Sequence, residues 1–223
     1  MLPCGLVIAT TRQIWSNYLA TDRRQPLSLR AAHGRILKLL DLPYEQRDLS
    51  TADDANEIAK INPAVRVPSL VLESGECLID SSAIIDHLME VGDPDHGLLP
   101  ANGAERRAVL HLAAIGHGVM EKAVASSCEC GRRPKELVYD KWVEMVDGQT
   151  QGGLRALEEG AAGGDYLHGD HLTLAEVNAV VAYQFVGIGV LYLVKEEPYP
   201  ALAALVQRCN ELPAFAETVF KPG

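Results

Sequence analysis

The sequence lacks several features that would assign the protein to a specialised class. Its 223 residues contain no apolar run of membrane-spanning length, so we expect no membrane partner. Lysine and arginine number 20 against 30 acidic residues, and the net charge of −10 disfavours nucleic acid as a partner. The start "MLPCGLVIATTRQIW" has no charged segment followed by a signal-type apolar core, so we expect no secretion signal.

The cysteines do not suggest a disulfide framework. There are five, an odd number at scattered positions, which is typical of a reducing compartment, and we expect a cytoplasmic protein. Cys128 and Cys130 in "CECG" follow His111 and His117, but they lack Cys-x-x-Cys spacing and no second pair follows. Thiols at a helix end are favoured over a metal site, and we predict no metal. Two further cysteines lie in apolar patterns and are predicted to be core residues: Cys77 and Cys209.

The first 92 residues alternate strand and helix patterns. "GLVIAT" predicts a buried strand, "SLRAAHGRILKLLDL" a helix and "PYEQRDLS" a second strand. "TADDANEIAKINP" predicts a short helix with Thr51 as N-cap. "SLVLESGECLI" predicts a hairpin turning at Ser74-Gly75, and "DSSAIIDHLMEVG" a helix that begins at an Asp/Ser cap. The order β-α-β-α-β-β-α predicts a mixed α/β layer.

The rest of the chain shows helical patterns after a linker. "DPDHGLLPANGAE" is rich in Pro, Gly and Asp, so we divide the chain into 1–92, a linker at 93–103 and an all-helical domain at 104–223. "LTLAEVNAVVAYQFVGIGVLYL" is apolar on nearly every face and predicts a central buried helix. Thr173 and Glu176 have the spacing of a capping box at its start.

Three segments of the chain resemble the cytosolic glutathione transferases. They are "NPAVRVPSLVLESGECLIDSSAIIDHL", "LLPANGAERRA" and "LTLAEVNAVV". The first, at residues 62–88, is specific, and the other two are supportive. The resemblance implies a thioredoxin-like N-terminal domain, an all-helical C-terminal domain and commonly a homodimer. It also implies glutathione as co-substrate.

The first of these segments carries the candidate glutathione-binding residues Val67, Pro68, Asp80 and Ser81. The resemblance implies a cis Val67–Pro68 bond, with the Val67 main chain pairing with the cysteinyl backbone of glutathione, as in strand addition. The residues alone equally allow Pro68 simply to enter an edge strand.

Asp80 and Ser81 lie where a strand passes into a helix. Free amides and the positive helix end there favour a ligand carboxylate, while the Asp80 side chain can accept from an α-ammonium. Plain helix capping is the alternative, and both roles can coexist because amides and side chains are separate groups. The two residues together are predicted to recognise the γ-glutamyl end of glutathione.

The segment expected to carry the catalytic group departs from the family pattern. The family places a Tyr, Ser or Cys just after the first strand, where it favours the thiolate of glutathione, which is the nucleophile. Here "TRQIWSNYLATDRRQP" follows the predicted first strand, and we interpret residues 11–26 as an insertion. Such an insertion forms a lid, reshapes the substrate site or marks a loss of activity.

Ser28 is the first choice for the thiol-activating residue. "PLSLR" resembles the Ser-x-Arg that opens the first helix in several bacterial members, and Pro26 marks a helix start. An ordinary N-cap serine is the alternative interpretation. Other hydroxyl residues remain open as rivals: Ser16, Tyr18, Thr10 and Thr11.

The expected activity is conjugation or transformation of a hydrophobic electrophile by the glutathione thiolate. The electrophile would bind in a cleft lined by the insertion and by residues 104–122. Isomerisation, dehalogenation and disulfide reduction are alternatives on the same scaffold, because fold does not determine function. A third class is a non-catalytic member that binds glutathione or another protein.

Overall fold

The structure, a computed structural model, describes residues 15–19, 30–49, 51 and 53–218. Its N-terminal part follows the predicted order β-α-β-α-β-β-α. The elements are β1 (Trp15–Leu19), α1 (Arg30–Leu39), β2 (Tyr44–Asp48), α2 (Ala55–Ala59), β3 (Ser69–Val71), β4 (Cys77–Ile79) and α3 (Ser81–Gly92). The strands form one mixed sheet in the order β2-β1-β3-β4.

The remainder of the described chain is helical, as predicted. The helices are α4 (Gly103–Arg132), α5 (Asp140–Ala162), α6 (Leu174–Gly189), α7 (Tyr192–Glu196), α8 (Pro200–Asn210) and α9 (Pro213–Ala216), with a 3₁₀ turn at Lys135–Leu137. A search of the described residues found no helix with the length and apolarity that a bilayer crossing requires. The division into 1–92, 93–103 and 104–223 stays a prediction.

The first strand that the structure describes is not the segment that the sequence pattern predicted. "GLVIAT" lies outside the described residues, whereas β1 falls inside the segment interpreted as an insertion. β1 pairs in parallel with β2, from Trp15 opposite Tyr44 to Leu19 opposite Asp48, and antiparallel with β3. An apolar run and a short aromatic run both satisfy a strand pattern, and only pairing with neighbours chooses between them. Residues 15–19 of the segment interpreted as an insertion at 11–26 are therefore part of the sheet, and the rest of that segment lies outside the described residues.

The hairpin and the α3 start agree with the sequence, but the α2 start does not. The Gly75 amide donates to the Leu72 carbonyl at 2.9 Å, and Gly75 has a φ of 85°, which glycine adopts readily. Asp80 is the N-cap of α3, and its carboxylate accepts from the Ser82 amide at 3.0 Å. The N-cap position of α2 belongs to Asp54 rather than Thr51, because the chain turns through residues 53–54 before the helix begins.

One hydrophobic core joins the sheet side to the helical side. Its buried residues include Ile36 and Leu37 of α1 and Ile84 and Leu88 of α3. They belong to the same cluster as α6, in which every residue from Leu174 to Ala182 is buried. The prediction of a central buried helix is confirmed.

The start of α6 is held by the predicted capping box. The Thr173 amide and hydroxyl donate to the Glu176 carboxylate at 2.6 and 2.7 Å, and the Thr173 hydroxyl accepts from the Ala175 amide at 3.2 Å. Glu176 also accepts from the Leu167 amide at 2.7 Å, a bond the sequence did not predict. The carboxylate therefore ties the preceding loop to the helix.

Helices α4 and α6 approach closely at Gly116. A Cβ atom on Gly116 would lie 2.9 Å from the main-chain carbon of Asn178. The Asn178 side-chain amide donates to the Ala113 carbonyl at 3.1 Å, which fixes the crossing. This contact positions the following two turns of α4, which carry His117 and Glu121, against the N-terminal part.

Candidate functional site

A pocket of about 70 Å³ opens where the β3–β4 hairpin and the start of α3 face α4. The structure brings all four predicted glutathione-binding residues, Val67, Pro68, Asp80 and Ser81, to this pocket. The complete lining is Asn62, Ala64, Arg66, Val67, Pro68, Ile79, Asp80, Ser81, His117 and Glu121. Residues separated by more than 50 positions in the chain thus form one site.

The Val67 main chain lies free at the pocket edge. The Val67–Pro68 peptide bond is cis. Among the described residues, no hydrogen bond involves the Val67 amide or carbonyl. The two groups can therefore accept a strand-like partner.

The loop before Val67 is held by Asn62, a residue that sequence reasoning missed. Asn62 is 1% exposed, and its side-chain amide donates to the Arg66 carbonyl at 2.8 Å and to the Ser69 hydroxyl at 3.3 Å. Its carbonyl oxygen accepts from the Ala64 amide at 3.0 Å. In the sequence, Asn-Pro indicates only a turn. The three hydrogen bonds of the Asn62 side chain could be identified only from the fold.

Asp80 presents an ionised carboxylate beside a buried serine. Hydrogen bonding from the Ser82 amide, aided by the charges of Arg66 and His117, holds the pKa of the Asp80 carboxyl below its usual value. Ser81 is 3% exposed and begins α3. The site therefore offers a negative side chain and a helix start next to each other, as an amino-acid zwitterion requires.

Helix α4 adds two residues that were not predicted for this site. His117 and Glu121 lie one turn apart on α4, and His117 Nε2 is 3.7 Å from Glu121 Oε1. The sequence showed their i, i+4 spacing. It did not show that this face of α4 meets the start of α3. His117 is about 16 Å along the helix from Cys128, at about 1.5 Å per residue, so the two are not neighbours.

The cysteines of "CECG" lie in the last turns of α4, as the helix-end interpretation predicted. No group of three or more metal-ligating side chains occurs within the described ranges. Cys209 is 3% exposed, in agreement with a core position, whereas Cys77 is only partly buried because its hairpin strand lies at the sheet edge.

The candidate thiol-activating residues are not assembled in the described structure. Ser28, Thr10 and Thr11 lie outside the described residues. Ser16 and Tyr18 fall within β1, where Ser16 is in register with Glu45 on one side and Val71 on the other. These two positions belong to the sheet rather than to the loop where the sequence had placed them.

A second cavity of about 230 Å³ adjoins the pocket and shares Ser81 and His117 with it. It lies among α3, α4 and the start of α6. Apolar groups dominate its lining, which consists of Ser81, Ser82, Ile85, Asp86, Leu99, Arg106, Leu110, Ala113, Ala114, His117, Leu174 and Asn178. It extends from the Ser81 side of the pocket.

Two family models match the chain. The model of the glutathione S-transferase N-terminal domain matches residues 33–93, and that of the glutathione S-transferase C-terminal domain matches residues 124–213. Among curated relatives, the maleylacetoacetate isomerase of Rhizobium meliloti is 30% identical over 75% of this chain and 78% of its own. A probable maleylacetoacetate isomerase of Caenorhabditis elegans is 28% identical over 86% and 87%, respectively.

Solved structures agree at the level of the fold. A glutathione S-transferase from Methylobacterium radiotolerans, crystallised with glutathione sulfonate, superposes with a TM-score of 0.84 at 24% identity, over 92% of this chain and 94% of that one. One from Methylobacillus flagellatus with glutathione bound gives a TM-score of 0.83 at 21% identity, over 92% and 98%. Fold, matched domains and related sequences together lead to one conclusion: the chain belongs to the glutathione S-transferase family.

Proposed function

We propose that this protein is a glutathione-dependent enzyme that binds glutathione in the pocket between the β3–β4 hairpin and α4. The observation that carries the proposal is the free Val67 main chain lying in one pocket with Asp80 and Ser81. An extended peptide can pair with Val67 as a strand of one residue. The cysteinyl residue of glutathione occupies that position.

The γ-glutamyl end then reaches the start of α3. Its α-carboxylate meets the Ser81 hydroxyl and the amides of the first helical turn, and its α-ammonium meets the Asp80 carboxylate. Asp80 is ionised well below neutral pH because its pKa is lowered, so the charge that this contact needs is present.

We favour isomerisation of an activated double bond as the reaction. The support is the name of two relatives, maleylacetoacetate isomerase. The thiolate adds to one carbon of the double bond, and the electron pair moves to the adjoining carbonyl. Rotation about the new single bond follows, and expulsion of the thiolate restores the double bond and releases glutathione unchanged.

Conjugation to a hydrophobic electrophile is the second candidate. A relative named glutathione S-transferase Z1, from Arabidopsis thaliana, is 29% identical over 80% of this chain and supports it. The same thiolate attacks, but the carbon–sulfur bond persists and glutathione is consumed. Measuring glutathione consumed per product formed separates the reactions, because isomerisation consumes none.

Calorimetric titration with reduced glutathione tests the binding site. We expect the wild type to bind, and Asp80→Asn/Ser81→Ala to bind at least about tenfold more weakly, or about 1.4 kcal/mol. Asp140→Asn, which removes a carboxylate at the start of α5, is the matched control and should bind like the wild type. A wild type that does not bind glutathione overturns the proposed function.

Ser28→Ala tests the proposed thiol-activating residue. Loss of a hydrogen bond to the thiolate should lower kcat/KM at least about tenfold, while the Kd for glutathione changes little. An unchanged rate would indicate that Ser16, Tyr18 or no side chain at all activates the thiol. Glutathione binding with neither isomerase nor transferase activity indicates the non-catalytic alternative.

The assembly and location follow from the same proposal. We expect a homodimer with the N-terminal domain of one subunit against the helical domain of the other, so light scattering should give twice the chain mass of 24.1 kDa. A single-chain mass contradicts this expectation. The four described cysteines are free, which favours the reducing cytoplasm.

A further inference from the structure

The loop before Val67 contains a residue whose side chain disfavours its backbone conformation. Val65 has a φ of 50°, in the left-handed region. Four described residues other than glycine have a φ in this region, and Val65 is the only β-branched one among them. A β-branched side chain crowds the main chain there, so the conformation costs free energy and persists only where the surroundings impose it.

The side chain of Asn62 imposes this conformation from both sides of Val65. Its carbonyl oxygen accepts from the Ala64 amide at 3.0 Å, and its amide donates to the Arg66 carbonyl at 2.8 Å. The Val65 amide itself donates to the Asn62 main-chain carbonyl at 2.9 Å. Asn62 is 1% exposed, so water competes little for these bonds. The residues immediately before and after Val65 are therefore both held.

The Asn62 clamp, which is the Asn62 side chain with its three hydrogen bonds, is anchored to two packed elements. The Asn62 main-chain amide donates to the carbonyl of the buried Ile58 in α2 at 2.8 Å. Ser69, the fully buried first residue of β3, accepts from the Asn62 side-chain amide at 3.3 Å and donates to the Arg66 carbonyl at 3.4 Å. Relaxation of Val65 to a negative φ would disrupt these bonds.

The bond from Asn62 to the Arg66 carbonyl also orients the Val67 amide. That carbonyl and the Val67 N–H belong to one planar trans peptide group, so they point in opposite directions. Because the carbonyl is held against Asn62, the Val67 N–H points away from Asn62 and is left for a ligand. Relaxation at Val65 would rotate this peptide group and misdirect the donor.

We propose that Asn62 is a positioning residue that holds the loop in its glutathione-binding conformation against the strain at Val65. The inference rests on the proposed glutathione site and concerns how that site is kept ready before the ligand binds. Without the clamp, Val65 returns to a negative φ in a large share of the molecules, and only the remaining molecules can pair with glutathione. The apparent Kd for glutathione then rises as the competent fraction falls.

Calorimetric titration with glutathione in two backgrounds tests the inference. In the wild-type background, Asn62→Ala should weaken binding at least about tenfold. Val65→Gly removes the strain, because glycine adopts a positive φ readily, so the clamp then has less to oppose. In the Val65→Gly background, Asn62→Ala should therefore weaken binding by no more than about threefold. Asn102→Ala, at the N-cap position of α4 where the side chain makes no capping bond, is the matched control and should bind like the wild type.

Two further measurements separate positioning from general stability. Because saturating glutathione selects the competent loop, Asn62→Ala should raise KM for glutathione while kcat stays close to the wild-type value. A merely structural role would lower the thermal midpoint and leave KM unchanged. Val65→Gly should raise the thermal midpoint by about 2–4 °C through loss of strain, whereas Val65→Ile, which keeps the branched side chain, should leave it unchanged.

The outcomes distinguish this inference from the proposed function. If the wild type does not bind glutathione, both are wrong. If the wild type binds, but Asn62→Ala has no effect or weakens binding equally in the two backgrounds, the inference is wrong and the proposed site stands. An unchanged or lower thermal midpoint of Val65→Gly contradicts the strain, even if Asn62→Ala is too unstable to titrate. A smaller effect of Asn62→Ala in the Val65→Gly background supports the inference.

Discussion

Asp80 combines a structural and a proposed binding role in a single residue. Its φ of 75° and ψ of 144° lie in a region that non-glycine residues rarely adopt, at a cost of about 1–3 kcal/mol. Its carboxylate offsets part of that cost by accepting from the Ser82 amide. A strained residue beside a pocket is consistent with a geometry kept for ligand binding rather than for stability.

Replacements of Asp80 should separate these roles. Asp80→Asn keeps a side-chain acceptor for the N-cap, so its free energy of unfolding should lie within about 0.5 kcal/mol of the wild-type value. The free energy of unfolding of Asp80→Ala should be about 1 kcal/mol lower than that of the wild type. Both should bind glutathione weakly, because both lack the negative charge. Urea unfolding and calorimetry measure the two quantities. Equal stability of all three proteins would show that the cap contributes nothing.

The charge of Asp80 also predicts a pH dependence. Its folded-state pKa is lowered, so ionised Asp80 favours the folded state above the unfolded-state pKa of about 3.9, and this contribution is lost as the pH falls through the lower folded value. The effect is small because the side chain is exposed. The stability difference between wild type and Asp80→Asn should be constant from neutral pH to about pH 5 and change only below it. A change near neutral pH would implicate another group.

At the scale of elements, α4 and α6 form the contact that positions the pocket wall. Gly116 allows the helices to approach, since a Cβ there would meet Asn178 at 2.9 Å. Gly148, in the middle of α5, has nothing within 4 Å of an added Cβ. The two glycines therefore differ in packing although both are helical.

Alanine at these glycines should have opposite effects. Gly116→Ala should destabilise the protein by about 1–3 kcal/mol through overpacking and should also weaken glutathione binding, because α4 is displaced. Gly148→Ala should stabilise it by about 0.5–1 kcal/mol through helix propensity. Thermal unfolding measures both. A stabilised Gly116→Ala protein would mean that the helices are not in close contact.

The α6 capping box predicts an ordering of two further variants. Thr173→Ala should cost about 1–2 kcal/mol, because it removes one cap from a buried helix start. Glu176→Ala should cost more, about 3 kcal/mol, because it leaves the buried amides of Leu167 and Thr173 without an acceptor. The exposed Glu159→Ala in α5 is the control and should change little. Denaturant unfolding should rank the three variants in that order.

At the scale of the whole molecule, Arg35 connects the two parts of the chain. It lies fully buried in α1, donates to Gln184 of α6 at 2.5 Å and to Thr218 at 3.0 Å, and covers the Phe215 ring at 4.9 Å. Burial lowers the pKa of Arg35 to about 10, so it remains charged at neutral pH. The shared core and this residue make independent unfolding of either part costly.

The two tryptophans allow this coupling to be measured. Trp15 lies in β1 and Trp142 in α5, so the variants Trp15→Phe and Trp142→Phe each leave one fluorescent reporter. Their urea unfolding curves should share one midpoint. Arg35→Lys should lower that midpoint equally for both reporters, because losing the guanidinium hydrogen bonds reduces the free energy of unfolding by about 1.5–3 kcal/mol. Separate midpoints would contradict a single cooperative unit.

Local patterns accounted for the elements whose information lies within a few residues. The hairpin at Ser74-Gly75, the Asp80 cap and the Thr173/Glu176 box depend on neighbours along the chain, and the structure has them as predicted. The all-round apolar pattern similarly identified α6 as the central helix. The prediction of Thr51 as the N-cap of α2 was wrong, because several successive polar residues there can each cap a helix and the structure has Asp54 at that position.

Tertiary structure decided everything that depends on which distant residues meet. The sequence predicted the first strand at "GLVIAT", whereas the strand that pairs with β2 and β3 is Trp15–Leu19, within the segment interpreted as an insertion. It showed Val67, Pro68, Asp80 and Ser81, but it did not show that Asn62 holds their loop or that His117 and Glu121 complete the pocket. Turns and caps are local free-energy minima and can be read from the residues that form them. The pocket exists only because close packing of α4 on α6 brings one face of a helix to the end of a strand.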